Sequence, residues 1–224
     1  MEIKMIATKI RTATSLNAWL AFCLFAALVI TFALYIYSVR QVERAHDMRH
    51  KSFLTTEELR QSSDDLTRMA RSYIATGNPI YKQSYIDIVA IAEGHLPRPK
   101  HYTNSYWELA VVGKQPISSE APMSMLELFR VNGFTAHELD ILKASKINSD
   151  TLTNTELAAM ALIEQAGSEL EANRRQAMSM VFGDDYNRAK VNILQPINQF
   201  YQLQDARTLE AVRQAEHKAM IILV

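Results

Sequence analysis

Between Thr12 and Val39 the chain carries no charged residue, and no other feature limits its fold as much. The centre of this run, Ala18 to Tyr37, is about twenty mostly apolar residues. At about 1.5 Å per residue, a helix of that length crosses the roughly 30 Å hydrocarbon core of a bilayer. A helix packed on a soluble domain would keep a polar face, and this run has none. Trp19 at one end and Tyr35 and Tyr37 at the other suit the aromatic belts of the two interfaces. The run therefore predicts a transmembrane helix over residues 16–39, behind a short cytoplasmic segment, 1–15.

Two other readings compete. A secretory signal peptide has an apolar region of roughly 7–15 residues followed by a small-residue cleavage site. This run is longer, and Tyr35-Ile-Tyr-Ser-Val-Arg40 offers no good small-x-small pair. A buried helical hairpin is the other alternative. Orientation is not set by charge, because Lys4, Lys9 and Arg11 before the run nearly balance Arg40, Arg44, Arg49 and Lys51 after it. A cytoplasmic N-terminus is expected on architecture, since long polar domains translocate largely regardless of charge.

At the other end, Ala219-Met-Ile-Ile-Leu-Val224 follows His217-Lys218. Six apolar residues do not cross a bilayer, but they read as the start of a second span, which makes residues 40–218 a loop between two membrane helices. The competing reading is an apolar tail. Twenty-four basic residues against 24 acidic ones leave no net charge, so nothing marks a nucleic-acid surface. The single cysteine, Cys23, lies within the apolar run, so no intramolecular disulfide forms.

Gly and Pro number only six each, which favours long helices. From Arg40 to Thr76 neither occurs, and Leu59, Leu66 and Tyr73 recur every seven residues. Met48, Thr55, Ser62, Met69 and Thr76 form the adjacent seam, a heptad-like stripe diluted with small polar residues. Thr76-Gly77-Asn78-Pro79 ends one helix and starts the next. A helix follows over Pro79–Glu93, with Ile80, Tyr81, Tyr85, Ile88, Val89 and Ala92 on its apolar side and Gly94 closing it. His95-Leu-Pro-Arg-Pro-Lys-His101 is extended, because two prolines in three residues exclude helix. Short helices are expected around Ser105–Val112 and Met123–Asn132. Thr135-Ala-His-Glu138 fits a capping box. It opens a helix expected to run to about Phe182, interrupted only at Gly167, with Leu139, Leu142, Leu152, Ala159, Leu162, Ile163, Ala166 and Leu170 along its stripe. A last helix runs from Tyr186 into the tail, kinked at Pro196, with Ile193, Ile197, Phe200 and Tyr201 packed inward. The expected fold is all-α: the transmembrane helix continues into an up-down four-helix bundle with one helix broken into short pieces.

No catalytic constellation emerges, and no Walker A, GxSxG or HExxH pattern occurs. Phe134-Thr-Ala-His-Glu-Leu-Asp140 contains the His-Glu-Leu of a histidine-kinase phosphoacceptor box, but it lacks the basic residue and proline that follow there; a capping-box histidine is the better reading. His46 and His50, spaced i,i+4, have no third ligand nearby in sequence, so no metal and no cofactor is expected. Ligand binding is the better prospect. Tyr102, Tyr106 and Trp107 follow the Pro-rich loop, where aromatics with polar handles suit a pocket. Arg68 and Arg71 stand near the end of the first long helix, where guanidinium groups suit a carboxylate or phosphate. The alternative is that the aromatics fill core and the arginines pair with Asp64 and Asp65 or with solvent.

Leu59-Arg-Gln-Ser-Ser-Asp-Asp-Leu-Thr-Arg-Met-Ala-Arg-Ser-Tyr-Ile-Ala-Thr-Gly77 resembles the extracytoplasmic sensor half of bacterial membrane receptors. The resemblance continues through Tyr81-x3-Tyr85, Glu93-Gly94-x2-Pro97-Arg98-Pro99 and Tyr106-Trp107, and returns at Phe182-Gly183-x2-Tyr186 and Gln195-Pro196-Ile197. Such modules precede hybrid sensor histidine kinases, GGDEF-type diguanylate cyclases and some chemoreceptors. The resemblance implies a sensory input module in the bacterial inner membrane, with residues 40–218 periplasmic and a histidine kinase as the first-ranked output. The chain differs from a full receptor in ending before any HAMP linker, kinase or cyclase. Its implied partners are the lipid bilayer, a second copy in a homodimer, and a small ligand or a periplasmic binding protein. A structural or adaptor protein anchored by one span is the other class.

Overall fold

The computed structural model describes residues 2–99, 106–113, 121–165 and 170–223, side chains of 2–16 and 222–223 excepted. About 89 % of what is described is helix, and no strand occurs among the described residues, so the fold is all-α. Seven helices are described: α1 (Glu2–Thr76), α2 (Pro79–Glu93), α3 (Tyr106–Val111), α4 (Met125–Val131), α5 (Ala136–Glu164), α6 (Leu170–Phe182) and α7 (Asp184–Leu223). Residues 50–207 form one compact unit, and residues 1–49 with 208–224 form another.

In the unit of residues 1–49 and 208–224, the part of α1 from Asn17 onward is long and apolar enough to cross a membrane, with mean hydropathy 2.4 over its most apolar stretch. None of that stretch is buried. Ala18 and the aromatics Trp19, Tyr35 and Tyr37 are all exposed. Farther along, Ser38 is buried on α1, and Thr208 and Val212 are buried on α7. The two helices share a crevice of about 660 Å³, in which Ile221 stands with Tyr37 and Ser38.

In the 50–207 unit the breakers act where the sequence places them. Gly77 and Gly94 adopt φ of +70° and +80°, and Asn78 caps α2 by accepting the Ile80 amide at 3.1 Å. Gly94 admits no other residue: a Cβ there would lie 2.5 Å from the Ser124 amide nitrogen, which starts the cap of α4. The capping box at Thr135 is present, with the Thr135 amide donating to Glu138 Oε2 at 2.7 Å and the Glu138 amide donating to Thr135 Oγ1 at 3.3 Å.

The main core gathers Met69, Ile74, Tyr85, Ile88, Met160 and Val181. A second core centres on Phe129, Phe134 and Phe200, with ring centroids 4.8–5.2 Å apart. Thr55 and Ser62 of the polar seam are buried. Thr55, Thr56, Thr67 and Thr76 return their hydroxyls to the carbonyl four residues back at 2.6–3.2 Å, so these hydroxyls keep a partner inside the helix. Met48 and Thr76, expected on that seam, are exposed.

Three expectations are corrected. The helix opening at Thr135 does not continue to Phe182: α5 stops at Glu164, Gln165 turns extended, and α6 folds back to pack on α5. Doubling back buries Ala177 and Val181 in the same core as Ala159 and Met160, which one straight helix would not do. Gly167 and Ala166 lie outside the described residues, and Leu170 is exposed. Tyr201 lies on the outer face, edge-on to Phe53 at 6.3 Å. Pro196 lies inside α7, which continues on both sides of it.

Candidate functional site

Of the expected ligand contacts, the structure turns several inward. Trp107 is buried in the main core, and Tyr106 packs edge-on to it at 5.1 Å. Tyr102 lies outside the described residues. Arg68 pairs with Asp65 on its own helix and with Glu108 of α3 at 2.6 Å, which ties α1 to the helix carrying Tyr106 and Trp107. Arg71 takes another direction. Its Nε donates to the Val181 carbonyl at 3.0 Å, and its guanidinium lies over Phe182 at 4.4 Å and Tyr186 at 5.2 Å. Arg71 therefore joins α1 to the α6–α7 junction, and the expected pairing with Asp64 or Asp65 holds only for Arg68. From the Pro-rich segment, Arg98 reaches Glu58 of α1 and Met125 of α4, and it is buried there.

A cavity of about 300 Å³ opens among α1, α2, α4, α5 and α7. Leu59 and Leu66 of α1, Phe129 of α4, Leu142 of α5, and Ile193 and Ile197 of α7 make its apolar wall. Hydroxyls of Ser62, Ser145 and Ser149 interrupt that wall, and Glu93 and Lys146 stand at its edge. The His95 imidazole lies 3.4 Å from Glu93, and Lys146 donates to Asp150 at 2.8 Å.

The cavity adjoins the proline in α7. Proline has no amide hydrogen, so Pro196 leaves the Asn192 carbonyl without its helical donor and crowds the next turn. Across the interface, Asn148 Nδ2 donates to the Asn192 carbonyl at 3.0 Å, and Ser145 Oγ donates to the Ile193 carbonyl at 3.0 Å. Asn148 thus supplies the bond that the helix loses, and Ser145 adds a bond to the next carbonyl. Ser145 and Ile193 also line the cavity, so a guest there touches the same joint.

A buried polar network lies deeper in the unit. Glu156 of α5 is 2 % exposed and accepts the hydroxyl of Tyr85 from α2 at 2.6 Å, together with the hydroxyl of Tyr186 from α7. Tyr186 Oη stands 3.1 Å from Thr67 Oγ1 of α1. Lys190 Nζ donates to the Ser63 carbonyl at 2.6 Å and to Thr67 Oγ1 at 2.8 Å, with Asp64 at 3.5 Å. Burial pushes the Glu156 carboxyl above its usual range, although both tyrosine hydroxyls and the charges of Lys190 and Arg71 oppose the shift. Burial likewise raises the phenols of Tyr85 and Tyr186, helped by the carboxylate between them, and lowers the Lys190 ammonium. The network joins four helices through one carboxylate.

Glu156 and Lys190 are not among the expected site residues, yet the sequence carries a signal for both. Glu156 falls on the stripe of Leu152, Ala159 and Met160, and Lys190 on that of Tyr186, Ile193 and Ile197. A charge on an apolar stripe needs a partner, because an unpaired ion there is too costly to keep.

His137 is exposed while its neighbour Glu138 is buried, so the His-Glu-Leu sequence serves the helix cap. His46 stands 3.6 Å from Glu216. Among the described residues no group of three or more His, Cys, Asp or Glu side chains is placed to hold a metal ion. No protein family, curated protein or solved structure matches the chain.

Proposed function

We propose that the chain is the membrane-anchored sensory input module of a bacterial signal-transduction receptor. In this reading the charge-free run of α1 crosses the inner membrane, and residues 40–218 form a periplasmic helical bundle. Binding of a small ligand or a periplasmic protein is relayed to a cytoplasmic output, with a sensor histidine kinase as the first-ranked output. The bundle is of the up-down four-helix kind: α1, the α5–α6 pair and α7 supply three members, and the short helices α2–α4 stand for the fourth.

One observation carries the reading. The two helices that hold the apolar run and the apolar tail, α1 and α7, both line the same cavity, at Leu59–Leu66 and at Ile193 and Ile197. A guest between them bears directly on the packing of the two elements that continue into the other unit. A packed interface with two discrete arrangements converts such a contact into a switch. The polar seam of α1 and the proline joint of α7 suit that role, because each replaces tight apolar packing with bonds that can exchange. The crevice in which Ile221 accompanies Tyr37 fits the tail starting a second span beside the first.

A chimaera tests the proposal. The chain is joined at Val224 to the remainder of a membrane span and a HAMP-linked reporter kinase, and Leu142→Trp is introduced to fill the cavity. A sensory module shifts the reporter between its on and off states. An inert anchor leaves the output of the wild-type and filled chimaeras equal at matched membrane abundance, and that result defeats the proposal.

A further inference from the structure

We infer that the cavity of the 50–207 unit takes a compact, uncharged, largely apolar molecule bearing one hydroxyl or carbonyl group. The inference rests on the sensory reading above and names the class of ligand.

Size sets the first limit. The cavity measures about 300 Å³, at the small end of ligand pockets and about twice the roughly 150 Å³ apolar cavity that admits benzene. A fused pair of rings or a medium-length chain fits that space. The second limit is charge. Leu59, Leu66, Phe129, Leu142 and Ile197 offer an ion nothing in place of its water. The two charged residues at the edge are opposite in sign, and Lys146 is already paired with Asp150. The arginines suited to an anion, Arg68 and Arg71, line none of the cavity and are bonded elsewhere.

The third limit is polar but neutral. The hydroxyls of Ser62 on α1 and Ser149 on α5 border the cavity, and Ser62 is buried. A single hydroxyl or carbonyl on the guest satisfies such a group, whereas a hydrocarbon leaves it unmet. Ser145 donates its proton to the Ile193 carbonyl and has lone pairs left to accept from a guest. A guest seated there presses on the residues that flank Pro196.

The test uses the full chain in detergent micelles and three fluorescent probes on one skeleton: 1-naphthol, 1-naphthoate and 1-naphthylmethylammonium. Partitioning into the micelle is subtracted with two cavity-filling variants, Leu142→Trp and Ser149→Trp, each checked for an unchanged helical spectrum. One saturable naphthol site per chain is expected, at least tenfold tighter than for either ion and lost in both filled variants. Ser62→Ala with Ser149→Ala should weaken naphthol by about threefold to tenfold for the hydroxyl that is used, and leave naphthalene unchanged. Binding of either ion as tight as naphthol overturns the inference, and so does wild-type naphthol binding equal to that of a folded filled variant. The chimaera separates the two readings. If filling the cavity still shifts the reporter while naphthol does not bind, the ligand class falls and the sensory reading stands.

Discussion

Removing the carboxylate of Glu156 should loosen the 50–207 unit, by an amount that its contacts set. In Glu156→Ala the hydroxyls of Tyr85 and Tyr186 lose their shared acceptor inside the core. A buried polar group left without a partner costs about 1–3 kcal/mol, so the two together cost roughly 2–6 kcal/mol. Tyr186 keeps its contact with Thr67, and deleting a buried carboxylate relieves desolvation, so the lower part of the range, about 2–4 kcal/mol, is expected. At about 2–4 °C per kcal/mol for a domain of this size, the melting temperature falls by roughly 4–16 °C. Glu156→Gln keeps a carbonyl acceptor and should lose about 1 kcal/mol or less at neutral pH. The pH dependence has a definite sign. The folded carboxyl binds its proton more tightly than the unfolded one, so this contribution is fully present below pH 4.5 and is lost as pH rises through the folded value. Wild type should therefore gain on Glu156→Gln as pH falls through the window above 4.5. Thermal melts of the full chain followed by circular dichroism at several pH values read both effects. An alanine variant melting within 2 °C of wild type, or a wild-type-to-glutamine gap that does not move with pH, refutes the reasoning.

Pro196→Ala restores the missing amide and should stabilise α7 by up to about 3 kcal/mol. In that background Asn148→Ala should cost almost nothing, against about 0.5–1.5 kcal/mol in the wild type, and additive melts would deny that Asn148 serves the proline joint. Glu138 runs opposite to Glu156. Burial alone would raise it, but the bonds from Arg207 and from Thr135 hold it below the usual range. Its contribution is present above pH 4.5 and lost as pH falls through the folded value, so acid melts of Glu138→Gln should flatten relative to wild type. Arg207→Ala, which leaves that carboxylate buried without its partner at 2.9 Å, should cost about 1.5–3 kcal/mol in a neutral-pH melt. Phe25→Arg places a charge at the centre of the run at about 2.5–3.5 kcal/mol, and carbonate extraction should show less of the chain retained in membranes.

Much of the fold was legible because its punctuation is local. Gly77-Asn78-Pro79, Gly94 and the Thr135–Glu138 box act within four or five residues, and the backbone obeys them. The reversal after Glu164 was harder to read: Gly167 is the one glycine there, and the core that Ala177 and Val181 join is made by residues distant in sequence. The site was less legible than the fold. Arginines near the end of a helix look free in a sequence, yet Arg68 and Arg71 are satisfied by Glu108, 40 positions away, and by Val181, 110 positions away. The cavity belongs to five helices at once, and no single stretch announces it. Ser145 and Asn148 acquire meaning only when α5 lies beside the proline of α7.

Access to one residue tests the central claim most directly. Ile147 is 67 % exposed on α5, within the segment read as periplasmic. In a Cys23→Ser background, Ile147→Cys should react with a membrane-impermeant maleimide in intact bacteria whose outer membrane has been made porous, and the labelled chain should remain in the carbonate-washed membrane fraction. Labelling only after the inner membrane is broken, or a labelled chain free in the soluble fraction, contradicts a membrane-anchored sensor that faces outward.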